Sequence, residues 1–171
     1  MLDCFVVAGM LLTTSVRSPR AVHEVENTMN EKQCIFCGIV EKAVNAFIVY
    51  ENSHAVVFLD KHPINVGHVL IIPRHHVAAF YELDEESFIE LMLVVRRMAS
   101  VIEAIYQPKK VGMLAAGFDV AHAHVHVLPM HDYHDITSRA ILEGTRANPT
   151  AGELQEAAEE IRRSLHAQGT S

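Results

Sequence analysis

The chain of 171 residues is half hydrophobic and one fifth charged, which suits one globular domain and leaves little room for a second one. Its formal net charge of −7 excludes long-range attraction to nucleic acid or to an anionic membrane, so any phosphate ligand needs a local site. Three cysteines are too few, and odd in number, for a disulfide framework. We expect a cytoplasmic protein with no nucleic-acid partner and no membrane partner.

The first thirty residues differ in character from the rest of the chain. The apolar run from Phe5 to Leu12 is too short to cross a bilayer, and no Lys or Arg precedes it as in a secretory signal. We interpret residues 1–30 as a disordered extension, with a weak targeting segment as the alternative. The organised domain is expected at 31–135, followed by a C-terminal extension with a helix at 136–171.

Short apolar runs separated by turn residues predict a sheet, and one long apolar stripe at helical spacing predicts a helix that covers it. Pro108 prevents this helix from continuing. The order, without regular βαβ alternation, indicates an α+β fold with an antiparallel sheet of about five strands. The predicted strands are Phe47–Tyr50, Ala55–Leu59, His68–Ile72, Val111–Ala115 and His122–Leu128, and the predicted helices run from an Asp84 cap to about Tyr106 and from Glu153 to Ala167.

Three histidines alternate with apolar residues between His122 and His126. Because side chains alternate faces along a strand, all three imidazoles are predicted on one face, with Ala123, Val125 and Val127 on the other. Three interpretations are open at this point. The run is a histidine-rich solvent face, a metal site built from imidazoles, or a centre in which a neutral imidazole attacks phosphorus.

Cys34 and Cys37 form a CxxC pair at the start of the organised region. A redox dithiol is one interpretation, although the βαβ context of such motifs is missing. Two buried thiols are the second interpretation. The third is half of a tetrahedral zinc site that two imidazoles complete.

Several segments agree in order, spacing and identity with one known family. They are CIFC from Cys34 to Cys37, FLD from Phe58 to Asp60, GHVLIIPRHH from Gly67 to His76, the pair Ala116-Gly117, and HAHVHVL from His122 to Leu128. Together they resemble the histidine-triad (HIT) superfamily over about residues 34–130, in particular the bacterial members of its Hint-like adenosine phosphoramidase branch. The resemblance implies a HIT-like fold.

The resemblance also implies catalytic roles for three histidines. His124, the middle member of the triad, would attack the α-phosphate of a purine nucleotide and become nucleotidylated. His126 would contact the phosphate, and His68 would line the same pocket. The implied activity is hydrolysis or transfer on a nucleoside phosphoramidate, ester or anhydride, of the phosphoramidase or dinucleoside polyphosphate hydrolase type. The same resemblance implies a homodimer.

Further residues match positions that hold the substrate or a metal in this family. Phe36 and Phe58 would line the base pocket, although the residues alone favour core packing. Asp60 would accept hydrogen bonds from the ribose, although next to a proline it also suits a turn. The implied cofactor is a structural Zn²⁺, and no redox cofactor is needed. The implied zinc ligands are Cys34, Cys37, His76 and His122.

The match departs from the branch after Ala116-Gly117. Phe118 and Asp119 stand where many relatives carry Gln and a small polar residue, and Met130 stands where many carry Arg. Asp119 is expected near the substrate, where an ionised carboxylate would repel phosphate unless it points away, pairs with a histidine or acts as an acid. The departure keeps two alternatives open: a nucleotide-binding module without turnover, and a hydrolase whose triad binds a catalytic metal.

Overall fold

A computed structural model describes residues 34–136 and 147–168, so the expected extension at 1–30 lies outside the described residues. Over these described residues the fold is α+β, as predicted, with a five-stranded antiparallel sheet and three α-helices. Its elements are α1 (Ile35–Val40), β1 (Ile48–Glu51), β2 (Ala55–Leu59), β3 (Val69–Pro73), α2 (Glu85–Tyr106), β4 (Lys110–Leu114), β5 (Val125–Met130) and α3 (Ala151–Gln168).

The strands lie in the order β1-β2-β3-β5-β4. Strands β2 and β3 are buried along their whole length, because the sheet is covered on both faces at its centre. Strand β5 lies between β3 and β4, where His126 pairs with Leu70 on one side and with Leu114 on the other. This central place holds the last histidine of the triad in a fixed register.

Helix α2 begins and ends where its sequence predicts. The side chain of Asp84 caps it by accepting a hydrogen bond of 2.8 Å from the backbone N–H of Ser87. The helix ends at Gln107, which adopts a left-handed conformation just before Pro108. Within the described ranges, no helix combines the length and apolarity needed to cross a bilayer.

Two hydrophobic clusters cover the two faces of the sheet. The larger cluster joins the sheet to α2 and α3, and α3 contributes Leu154, Ala157, Ala158, Ile161 and Leu165 to it. The smaller cluster packs α1 on the opposite face, through Phe36 and Ile39. The C-terminal helix is therefore part of the main core of the domain, and its burial stabilises the sheet.

The predicted strand at His122–Leu128 is wrong in its first half, because β5 begins only at Val125. The backbone N–H of His122 bonds to the carbonyl of Val120, and that of Ala123 bonds to the carbonyl of Val77. These two bonds turn the chain away from the sheet. His122 and His124 therefore precede the strand, and only His126 belongs to it.

Candidate functional site

A cavity of about 180 Å³ lies beside the histidine run. Three of the sequence-predicted site histidines, His68, His124 and His126, line it together with Asp60 and Asp119. The remaining lining residues are His62, Ile64, Leu114, Ala116, Gly117, Phe118, Leu128 and Ile136. The cavity thus brings together residues from β4 and β5, from the two loops that follow β2 and β4, and from the segment that follows β5.

The tautomer of His124 follows from its hydrogen bond. Its Nδ1 lies 2.6 Å from the backbone carbonyl oxygen of His122, and a carbonyl can only accept. The proton of a neutral His124 ring therefore sits on Nδ1, and Nε2 carries the lone pair. The ring is buried, and the ring of Phe36 packs edge-on against it with centroids 5.3 Å apart. A held, desolvated imidazole with this tautomer can act as a nucleophile.

His68 and His126 form a second hydrogen-bonded pair. The backbone N–H of Ile64 donates to Nδ1 of His68 over 3.3 Å, so a neutral His68 carries its proton on Nε2. That Nε2 lies 3.0 Å from Nδ1 of His126 and donates to it. By the same logic His126 carries its proton on Nε2, the tautomer that can donate to a phosphate oxygen or to a leaving group.

Asp60 combines a turn role with a place at the cavity. Its Oδ1 accepts a hydrogen bond of 2.8 Å from the backbone N–H of His62, as in an Asx turn. Its Oδ2 lies 3.7 Å from Nδ1 of His68. Potential ligand atoms of Asp60, His68 and His126 also lie within 4.8 Å of one another. The carboxylate therefore lies beside the histidine pair at the cavity.

A cluster of two cysteines and two histidines lies next to the triad. It consists of Cys34, Cys37, His76 and His122, and one potential ligand atom of each lies within 4.8 Å of the others. The Sγ of Cys37 is 3.3 Å from Nδ1 of His76 and 3.6 Å from Nδ1 of His122. A tetrahedral zinc site with ordinary bond lengths has sulfur–nitrogen edges of about 3.6 Å. The spacing of these atoms fits that geometry.

The ring of His122 is oriented as a metal ligand would be. Its Nε2 donates to the carbonyl oxygen of Pro73 over 3.0 Å, which leaves the lone pair on Nδ1, facing the two thiols. Burial lowers the pKa of His122 to about 4, so the ring is neutral at neutral pH. The buried Nε2 of His76 has no hydrogen-bond partner among the described residues. The donor set and its orientation therefore fit zinc.

Phe36 and Phe58 do not line the cavity. Both are buried in the smaller hydrophobic cluster, where their rings meet at 5.6 Å between centroids. Phe36 also contacts the ring of His122, with centroids 5.9 Å apart. In the structure both phenylalanines pack on the face of the sheet that supports the triad. This is the core packing that the residues alone favour.

Sequence reasoning missed several groups at the site. The carbonyl of Pro73 and the backbone N–H of Ile64 set histidine tautomers, and a sequence carries no signal for such backbone contacts. His62 also lines the cavity, and its place in the loop after β2 was its only signal. Asp119 was not missed: it was expected near the substrate, and it lines the cavity beside Phe118, with both side chains exposed.

Comparisons with known proteins match the chain to one family. The HIT domain family model matches residues 41–133, which is more than half of the chain. An uncharacterized 16.1 kDa HIT-like protein of Mycoplasma pneumoniae is 38% identical over 112 residues, or 63% of this chain and 78% of that protein. An adenosine 5'-monophosphoramidase of Saccharomyces cerevisiae is 27% identical over 132 residues, or 77% of this chain and 78% of that enzyme.

Solved structures agree as well. A Zn-bound histidine triad family protein of Mycobacterium smegmatis superposes with a TM-score of 0.68, at 23% identity, over 82% of this chain and 98% of that one. At this identity the likeness concerns the fold. Taken with the family match, it leads to one conclusion: the chain belongs to the HIT family.

Proposed function

We propose that the protein hydrolyses a purine nucleotide conjugate at its α-phosphate, with His124 as the nucleophile. The observation that carries the proposal is the hydrogen bond from Nδ1 of His124 to the carbonyl of His122, which leaves the lone pair on Nε2. The donor chain from Ile64 through His68 to His126 supports it, because it aims a proton at the same cavity.

The chemistry proceeds in two displacements. Nε2 of His124 forms a bond to phosphorus while the bond from phosphorus to the leaving group breaks, and His126 donates a proton to the departing atom. Water then attacks the nucleotidyl-histidine at phosphorus and gives a proton back to His126, which releases the nucleoside monophosphate and restores both neutral rings. Asp60 is proposed to hold the ribose, and Phe36 and Phe58 to support the base from the core.

Adenosine conjugates are the first substrates to test. The yeast relative is an adenosine 5'-monophosphoramidase, and this chain aligns with 78% of its length. We therefore propose an adenosine 5'-phosphoramidate as the starting probe, with phosphate esters and diadenosine polyphosphates as alternatives.

Trapping the covalent intermediate tests the nucleophile. The protein is mixed with an adenosine 5'-phosphoramidate labelled at phosphorus and quenched in alkaline denaturant, since phosphorus–nitrogen bonds break in acid. We expect a labelled adduct on His124 and its loss in His124→Ala, with turnover lowered by about a thousandfold or more. His75→Ala, at an exposed histidine, is the matched control. Binding without turnover or adduct in the wild type would instead indicate a nucleotide-binding module.

We propose that Cys34, Cys37, His76 and His122 hold a structural zinc ion. The sulfur–nitrogen distances of 3.3 to 3.6 Å and the hydrogen bond from His122 to Pro73 support this ligand set. Bound zinc would tie α1 to the segment that precedes β5 and would take no part in the chemistry. Metal analysis of the purified protein tests the proposal, with one zinc per chain as the expected result.

A catalytic metal at Asp60, His68 and His126 is the second candidate, because their potential ligand atoms also lie close together. The hydrogen bond of 3.0 Å between His68 and His126 favours the metal-free interpretation, since it occupies one nitrogen of each ring. Removal of metal with a chelator distinguishes the metal-dependent mechanism from the metal-free one. If metal removal abolishes turnover while circular dichroism shows an intact fold, the metal-dependent mechanism is correct and the nucleophile proposal fails.

We also propose that two copies associate through β4. Among the described strands β4 is an edge strand, and its Met113 and Leu114 are exposed. An exposed apolar edge favours pairing with a second edge. Light scattering after gel filtration tests this, with a dimer expected for the wild type and a monomer for Met113→Lys.

A further inference from the structure

The loop that follows β4 forms one rim of the catalytic cavity. Gly117 adopts a φ of +75°, a conformation that side chains rarely take, and a Cβ built on it would meet nothing within 4 Å. The next two residues, Phe118 and Asp119, both line the cavity. Phe118 is 95% exposed, more than any other large apolar side chain in the described part of the chain. An aromatic ring and a carboxylate therefore stand side by side at the opening.

The permanently charged side chains that line this cavity are all negative. Its lining contains the carboxylates of Asp60 and Asp119 and four histidines, and no Lys or Arg among the described residues. The phosphate that reacts can be met by imidazole N–H groups. A leaving group with further negative charge, such as a polyphosphate, would meet no permanent cation here and would be repelled by both carboxylates.

A positively charged leaving group would be attracted by these carboxylates instead of repelled. A carboxylate attracts it at the opening, and an exposed aromatic ring stabilises both a cation and an apolar body that lies against it. Because Phe118 and Asp119 are consecutive, one ligand of a few carbon atoms can contact both. The pair is therefore suited to a leaving group that combines an apolar body with a positive charge.

We propose that Phe118 and Asp119 select amine leaving groups that carry a second, positively charged nitrogen on an apolar or aromatic body. This inference rests on the proposed function. In the reaction, Nε2 of His124 bonds to phosphorus, the bond from phosphorus to the amine nitrogen breaks, and that nitrogen takes a proton and departs. Water then cleaves the nucleotidyl-histidine, so that conjugate and water give nucleoside monophosphate and amine. Asp119 contacts the distant charge and takes no proton.

The experiment compares three adenosine 5'-phosphoramidates with the same benzylamine body. They carry a para aminomethyl, methyl or carboxyl group, so that shape is kept while charge changes from positive to neutral to negative. For each, kcat/KM is measured on the wild type, Asp119→Asn, Asp119→Lys, Phe118→Ala and Phe118→Leu. Glu156→Gln, at an exposed carboxylate of α3, is the control for loss of one negative charge.

We expect the wild type to prefer the cationic over the anionic substrate by about a hundredfold at low salt. Asp119→Asn should reduce that ratio by about tenfold, Asp119→Lys should reverse the preference, and Glu156→Gln should leave it within about twofold. Phe118→Ala should lower kcat/KM for all three benzyl substrates by roughly fivefold relative to kcat/KM for the unsubstituted phosphoramidate, with Phe118→Leu in between.

The outcomes separate this inference from the proposed function. If all three substrates react through His124 but their ratio is the same in Asp119→Asn as in the wild type, the inference is wrong and the proposed function stands. If the wild type turns over none of them and no adduct forms, both are wrong. A loss of the charge preference in Asp119→Asn that is larger than the change in the rate of the neutral substrate supports the inference, since a folding defect would lower all three rates together.

Discussion

His124 and His122 are joined by a hydrogen bond of 2.6 Å, from Nδ1 of one ring to the backbone carbonyl oxygen of the other residue. The side chain of His122 faces Cys34 and Cys37, while its backbone fixes the tautomer of His124. One residue therefore belongs to the cysteine–histidine cluster and to the catalytic cavity at once. The two sites therefore share His122 as a common support.

Cys37→Ser should lower thermal stability more than it lowers catalysis. The variant removes one of two thiols from the cluster, so zinc binding no longer stabilises the folded chain. We expect a fall in Tm of roughly 5–10 °C and loss of bound metal, with kcat below the Tm changed by less than about fivefold. Scanning calorimetry and metal analysis measure both. Cys4→Ser, at the cysteine outside the cluster, is the control, and an equal fall in Tm there would contradict the zinc proposal.

His68→Gln should reduce kcat more than it raises KM. Glutamine cannot relay the hydrogen bond from the Ile64 N–H to the ring of His126 with a fixed tautomer. We expect kcat to fall by about 10- to 100-fold, with a change in KM of less than about threefold, because the lost proton donor acts on the departing group. Steady-state kinetics with the adenosine phosphoramidate test this. His75→Gln should behave like the wild type, and an unchanged kcat in His68→Gln would remove His68 from the mechanism.

The hydroxyl of Tyr106 should lose its proton only near pH 12. Burial, with a smaller contribution from Glu160, raises its pKa to about 12, and its hydroxyl has no partner among the described residues. Between pH 10 and 12 the unfolded chain loses this proton while the folded chain keeps it. The contribution of Tyr106 to the free energy of unfolding should therefore be constant below pH 10 and fall between pH 10 and 12.

Urea denaturation at several pH values, with absorbance of tyrosinate, measures this effect. Tyr106→Phe should abolish the part of the pH dependence that belongs to Tyr106 and should be neutral or stabilising near pH 8, because it removes a buried hydroxyl that lacks a partner. Tyr81→Phe, at a tyrosine that is 76% exposed, should keep the pH dependence. The same fall in stability in Tyr106→Phe as in the wild type would contradict the prediction.

Ile161→Ala should destabilise the whole domain. Ile161 is fully buried in α3 and packs in the main cluster with the sheet and α2. We expect a loss of about 2–5 kcal/mol in the free energy of unfolding, from lost burial and from the cavity left behind. Urea denaturation measures it, and Glu156→Ala on the exposed side of the same helix should change it by less than about 0.5 kcal/mol. A small effect of Ile161→Ala would mean that α3 is dispensable.

Local signals predicted most of the secondary structure. Strand β2 was predicted at its observed bounds, because a run of five apolar residues lies between two turns. Helix α2 was predicted with its cap, because Asp84 and Pro108 mark its two ends within a few residues. Both predictions depend on neighbours along the chain, and a sequence displays these directly.

Contacts between distant segments were harder to predict. The alternation of the triad indicated one continuous strand, but the bond from the N–H of Ala123 to the carbonyl of Val77 turns the chain before Val125. Helix α1 has only six residues and no polar alternation, so no local signal predicts it. The grouping of Cys34, Cys37, His76 and His122 followed from family resemblance, since ligands up to 88 positions apart share no local pattern.

The main core extends beyond the segment by which the family is recognised. That segment covers residues 41–133, whereas Cys34 and Cys37 precede it and α3 follows it. A fragment cut at those limits would keep the three triad histidines, yet it would lack two thiols and uncover an apolar face of the sheet. The segment by which the family is recognised is therefore shorter than the segment that forms the core. Variants of single residues should be tested in the longer chain.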